Sequence, residues 1–280
     1  MIEARNLTHY YNKGTAMESR AFENISFTIE RGEFIGLIGH TGSGKSTLIQ
    51  HLNGLLKPTD GTVLYNGEDI FAKGYNLRAL RSKVGMVFQY PEYQLFEETV
   101  LKDVMFGPLN MGLPENEAKK AAIDALTLSG VEKELWDHSP FELSGGQKRR
   151  VAIAGVISMK PEMHILDEPA AGLDPGGRKE ILDTIYALGR ERNITVVLVS
   201  HSMDDIAEYA DRIMVLSKGS LMYFDTPEAV FSKIKELEEI GLSAPQVTYL
   251  MHDLKNLGFD VDLNANTVSE AVDTILKALH

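Results

Sequence analysis

Cysteine is missing altogether from this chain of 280 residues. Its absence removes disulfides, thiol chemistry and cysteine-rich zinc sites, and suits a reducing compartment. No apolar run approaches the roughly 18 residues that a membrane span needs, so any role at a membrane is expected to be peripheral. The opening Met1, Ile2, Glu3, Ala4 and Arg5 carry no apolar h-region, and no secretion signal is expected. Basic charge is also scarce: 28 Lys and Arg stand against 40 Asp and Glu, a formal net charge of −12. A surface of that sign is poorly suited to displacing counterions from nucleic acid or to settling on anionic lipid, so no nucleic-acid partner is expected. It can still dock on basic segments of a protein. Internal repeats and low-complexity segments are absent too.

With 44% apolar content, the chain can bury a substantial core as one large domain with a small appendage. Its organising stretch is Gly39, His40, Thr41, Gly42, Ser43, Gly44, Lys45, Ser46 and Thr47, which fits the phosphate-loop pattern through Gly39, Gly44, Lys45 and Ser46. Residues 34–38 before it read as a buried parallel strand, and 46–53 after it read as a helix closed by Gly54. Glycines let successive N–H groups point inward at a helix N-terminus, so the loop surrounds phosphate oxygens with donors. Lys45 is then expected to reach the β- and γ-phosphates, Ser46 to ligate Mg²⁺, and Thr47 to donate to the α-phosphate.

Along the chain, residues 22–29 alternate as a half-buried strand, and Thr62 to Tyr65 before Asn66-Gly67 reads as a hairpin. Together they imply a small antiparallel layer. A core strand is expected over 83–89, ending at Gln89. From about 99 to 160 the pattern turns helical. Strands then resume at 163–166, 194–200 and 212–216, separated by helices near 177–192 and 202–209, which argues for a parallel α/β sheet. Ligands of such sheets bind at the strands' C-terminal ends, where Gln89, Asp167, His201 and the phosphate loop all fall. Beyond 225, Thr226-Pro227 opens a helix, 243–257 reads as a second, and Thr267 to Glu270 is a capping box before a third.

Two further motifs carry chemistry. Met163 to Leu166 is an apolar strand ending in Asp167 and Glu168, suited to holding Mg²⁺ through water and to polarising the water that attacks the γ-phosphate, respectively. His164 within it reads as a packed core imidazole. Leu143, Ser144, Gly145, Gly146 and Gln147 combine a capping box with two glycines, which weaken a helix start unless something must approach its backbone. That helix end is a second anion site.

In order and spacing, the phosphate loop, Gln89, the 143–147 signature, Asp167-Glu168, Leu173-Asp174 and His201 resemble the ATP-binding subunit of an ABC transporter. The likeness covers 1–225 as the cassette, with a helical subdomain at about 99–160 and a helical dimerisation appendage over 226–280. It implies an ABC ATPase fold with a parallel sheet, an antiparallel β layer and a head-to-tail pair in which one signature closes over the partner cassette's γ-phosphate. It also implies that Tyr11 stacks on adenine, Gln89 senses Mg²⁺ and water, His201 contacts the γ-phosphate and Asp174 lies at the dimer seam. Gln89, Pro91, Glu92 and Gln94, with Ala171 to Asp174, Glu97 to Val104, Phe106 to Pro108 and the C-terminal helices, are similar to energy-coupling factor importers, particularly their second ATPase type, and to cobalt-uptake ATPases. This resemblance implies ATP and Mg²⁺, a sister ATPase, a membrane T component, a substrate-binding S component and a place on the cytoplasmic face of the membrane. Glu92, Glu97 and Glu98 would then form an acidic lip around the groove that takes the T component's basic arms. A soluble ABC ATPase of cofactor assembly is the alternative reading.

Overall fold

The computed structural model describes residues 1–278. Its first elements are β1 (Ile2–Tyr11), β2 (Ser19–Ile29), β3 (Phe34–Ile38), α1 (Lys45–Leu52), β4 (Asp60–Tyr65) and β5 (Glu68–Asp69). Next come α2 (Leu77–Lys83), β6 (Val84–Val87), α3 (Val100–Asn110), α4 (Glu115–Leu128), α5 (Gly145–Ser158) and β7 (Met163–Asp167). Then follow α6 (Pro175–Arg192), β8 (Thr195–Val199), α7 (Met203–Tyr209), β9 (Arg212–Ser217) and β10 (Ser220–Asp225). Four helices complete the series: α8 (Pro227–Phe231), α9 (Ile234–Glu239), α10 (Gln246–Asn256) and α11 (Val268–Ala278). This is a mixed α/β fold with two compact units, and the chain passes from one to the other within β8.

The first unit holds Met1–His51, Leu56–Asp69 and the chain from Leu198 onward. Its antiparallel sheet runs β2-β1-β4-β5. Ile2 pairs with Ile29 on one side and Tyr65 on the other, which places Ile2, Ala4, Phe27 and Val63 in the core. Asn66 (φ 51°) and Gly67 (φ 85°) make the hairpin turn between β4 and β5 with both central residues left-handed, as strand twist favours. A second set of strands runs β10-β9-β3, with β9 parallel to β3 and antiparallel to β10. Every residue of β3 is buried, the mark of a central parallel strand. α7 lies close on β3 at Gly36, where a Cβ would come within 2.7 Å of Ile206.

The expected helices beyond residue 225 are present. Thr226 caps α8 with Pro227 in its first turn, and Thr267 and Glu270 exchange both bonds of a capping box before α11. α10 and α11 share a small core of Val247, Met251, Val261, Ala265 and Ala271.

The second unit holds Leu52–Leu55 and Ile70–Val197. β6 pairs in parallel with β7, Val84 opposite Met163 and Val87 opposite Leu166. α3, α4 and α5 pack on one another, the helical segment expected between core strands. The strand expected over 83–89 is shorter: Lys83 closes α2, whose last turn is capped by the Val84 N–H on Leu80 O. At the far end Tyr90 turns left-handed (φ 56°), so Gln89 lies past the strand and exposed.

Candidate nucleotide site

In the first unit β3 delivers the chain into the loop 39–44, and α1 begins at Lys45. The loop sits tightly against backbone on two sides. A Cβ at Gly39 would collide with Leu216 O, and one at Gly44 (φ +104°) would lie 2.7 Å from Ala21 O. Larger residues there would push the loop out of its curl. Thr41, Gly42 and Ser46 are exposed, whereas Ser43 and Lys45 are buried. Lys45 folds back over the loop, donating from Nζ to Gly39 O at 2.6 Å and His40 O at 3.2 Å. His40 donates from Nδ1 to Thr41 O at 2.8 Å and accepts Lys218 N–H on Nε2 at 3.3 Å. Its tautomer is thereby fixed. Tyr11 reaches α1 through its hydroxyl, 3.0 Å from Thr47 Oγ1. His201 is exposed beyond β8, next to Ser202, whose Oγ accepts Asp205 N–H at the start of α7.

In the second unit Asp167 is buried at the end of β7, and the half-buried Glu168 follows with φ 51°. A left-handed glutamate costs on the order of 1–3 kcal/mol and persists only where its surroundings hold it. Gln89 Nε2 donates to Glu168 Oε2 at 3.3 Å, so these two predicted residues meet.

The signature's capping box is complete: Ser144 Oγ accepts Gln147 N–H at 3.3 Å, and Gln147 Oε1 accepts Ser144 N–H at 2.9 Å. Nothing lies within 4 Å of a Cβ built on Gly145, and one on Gly146 would be 3.5 Å from Leu173. Space over this helix start is open, and packing does not demand glycine there. Asp174 Oδ1 accepts the N–H groups of Gly176 and Gly177, each at 3.0 Å. The Gly177 bond foremost holds its carboxyl below the usual range.

A tie that sequence reasoning missed joins these segments. Arg149 on α5, only 4% exposed, donates from Nη2 and Nε to Glu92 at 2.8 and 3.2 Å and from Nη1 to Ala171 O. Its one sequence signal is its place two residues past Gln147. Of the three glutamates of the expected acidic lip, Glu92 is held by Arg149, and Glu98, at the surface, accepts from Lys102 Nζ at 2.6 Å. His164 is packed as expected, its Nε2 without a hydrogen-bond partner, and burial pushes it down to about 4.

The predicted residues thus form two groups, Tyr11 with 39–47 and His201 in the first unit, and Gln89, 144–147, Asp167, Glu168 and Asp174 in the second. Residues 22–171 match the family model described as ABC transporter, and the chain belongs to that family of ATP-binding cassettes. Within it, the energy-coupling factor transporter ATP-binding protein EcfA2 of Clostridium tetani is 53% identical over 277 residues, spanning 99% of this chain and 96% of its own length. EcfA2 of Caldanaerobacter subterraneus subsp. tengcongensis is 51% identical, spanning 99% and 97%. Among solved structures, cbiO1 from Clostridium perfringens, part of the ABC transporter complex cbiONQ, is 38% identical over 90% of this chain and 98% of its own, with TM-score 0.76. The dimeric cassette MJ0796, in a post-hydrolysis state bound to ADP and Pi, is 30% identical over 81% and 98%, with TM-score 0.73.

Proposed function

We propose that this chain is the ATP-hydrolysing subunit of an energy-coupling-factor importer, turning ATP and water into ADP and phosphate to drive uptake of a vitamin or transition-metal ion. The observation that carries the reading is its near-full-length likeness to EcfA2 proteins, at 53% identity over 99% of the chain.

The loop 39–47 holds the triphosphate, with Lys45 leaving its two carbonyls for the β- and γ-phosphate oxygens. Tyr11 packs on adenine. Glu168 polarises the attacking water and accepts its proton as general base, Gln89 senses Mg²⁺ and water, His201 contacts the γ-phosphate, and Asp174 sits at the seam between cassettes. In the dimer, Ser144, Gly145, Gly146 and Gln147 of one cassette close over the γ-phosphate held by the other, stabilising charge that develops there. Closure on ATP and reopening after hydrolysis form the two-state element.

Ser46, Asp167 and Gln89 would hold Mg²⁺. Each offers a side-chain oxygen of the kind this ion takes alongside waters and phosphate. When bound, the ion neutralises charge on the β- and γ-phosphates.

The partners in this reading are a sister ATPase, a membrane T component and a substrate-binding S component. In this reading the chain sits peripherally on the cytoplasmic face; none of its described helices is long and apolar enough to cross a membrane. Residues 1–225 form the cassette, with a helical subdomain over about 99–160, and 226–280 the dimerisation appendage, whose last two residues lie outside those described. α10 and α11 have a small core of their own, within the compact unit that also holds the antiparallel sheet.

Glu168→Gln tests the chemistry. Phosphate release should fall by roughly two orders of magnitude, the scale of losing one transition-state group, while ATP binding persists. Release near the wild-type rate removes Glu168 from its role.

A further inference from the structure

β1 and α1 meet through four side chains that close a ring. His9 and Tyr11 are two apart on a strand and so share a face, and Thr47 and His51 are four apart on a helix and share one too. Tyr11 Oη lies 3.0 Å from Thr47 Oγ1, Thr47 O lies 2.7 Å from His51 Nδ1, and His51 Nε2 lies 3.2 Å from His9 Nδ1. The rings of His9 and Tyr11 complete the circuit in a T-shaped contact, 4.7 Å between centroids at 85°. Phe22 closes the apolar side, 5.2 Å from the His51 ring.

The hydrogen bonds run in one direction. A carbonyl only accepts, so His51 Nδ1 carries a proton and donates to Thr47 O. His51 Nε2 is then the acceptor, and His9 Nδ1 must donate to it. Both rings are buried, and the Lys57 backbone is a further hydrogen-bond partner to the pair. Burial foremost pushes His51 down to about 4 and lowers His9 as well. Tyr11 itself remains 41% exposed, with His9 behind it.

We propose that His9 and His51 are positioning residues for the purine base: they lock the Tyr11 ring to the helix that carries the phosphate loop, setting where the base is received. This rests on the reading of Tyr11 as the base contact. Thr47 belongs both to this ring and to the phosphate loop, but the two histidines lie outside the loop, so the pair governs affinity for the base and not for the phosphate chain.

The test is calorimetric titration of the full chain with Mg-ADP and, separately, with Mg-tripolyphosphate, which has no base. His9→Leu and His51→Leu cut the same bond from its two ends, so the test survives if one of them folds poorly. Each should weaken ADP binding about tenfold, equivalent to roughly 1.4 kcal/mol, and leave tripolyphosphate binding unchanged. His9→Asn, whose side-chain amide donates from nearly the place of Nδ1, should restore ADP affinity. Unchanged ADP binding in both leucine variants, or equal losses for ADP and tripolyphosphate, overturns the inference. Tyr11→Ala separates the two claims. If it weakens ADP binding while the leucine variants do not, the histidine inference alone fails; if it changes nothing, the base-contact reading fails and takes the inference with it.

Discussion

His51 lies fully buried on α1 and His164 is enclosed in β7, and burial foremost pushes each down to about 4. In the unfolded chain a histidine takes its proton near pH 6.5, roughly the reference value. The folded positions refuse it until the pH is far lower, so acid favours the unfolded chain. Their contribution to stability is complete above about pH 6.5, falls as the pH drops through that value, and stops falling below about 4. Each site gives a slope of roughly 1.4 kcal/mol per pH unit in that window. His164→Leu suits the apolar strand and removes one such site, so the slope of stability with pH, followed by urea unfolding across the window, should fall by up to about 1.4 kcal/mol per pH unit. An unaltered slope contradicts the assignment. The packed role of His164 was legible from its neighbours Met163, Ile165 and Leu166. The pairing of His9 with His51 was not, because nothing local relates a strand residue to a helix residue 42 positions away.

α5 shows what one element's sequence declares and what it withholds. Its start was legible, because Ser144 and Gln147 satisfy each other's backbone N–H groups within a single turn. The same holds for α11, for the Pro227 start of α8 and for the Asn66-Gly67 turn, all fixed by neighbours in sequence. α2 was missed because it spans only two turns and buries just Leu80, too little for a periodic signal. β10 was missed because Leu221, Met222, Tyr223 and Phe224 are an unbroken apolar run with no polar alternation in the sequence to read, although exposed and half-buried residues alternate along most of the strand. Arg149 was missed for the opposite reason: its partner Glu92 is 57 residues away. That contact carries a prediction about α5. Arg149→Met strips Glu92 of its counter-charge in a half-buried place and should cost about 3–5 kcal/mol, the scale of breaking a buried ion pair. Glu92→Gln keeps an acceptor for the guanidinium and should cost markedly less. Thermal unfolding of the two variants decides the matter, and an Arg149→Met protein within about 0.5 kcal/mol of wild type denies the tie any structural weight.

At the scale of the whole molecule, an acidic protein without cysteine, and with no membrane-crossing helix among its described residues, is organised around two helix starts proposed to bind phosphate, one in each compact unit. A single cassette supplies both ends of a reaction that the proposed head-to-tail pair completes, so its activity depends on another cassette. Its use in transport depends on membrane proteins that accept an acidic partner. In the proposed complex the S component binds the transported substrate, which therefore leaves no trace in this subunit. The direct measurement is purification of this chain from its native membrane in a gentle detergent, with the co-purifying proteins identified by mass. The account predicts a sister ATP-binding cassette and two different integral membrane proteins, the smaller of which names the substrate class. Recovery with a soluble scaffold and no membrane protein contradicts the transport role and leaves the ATPase chemistry standing.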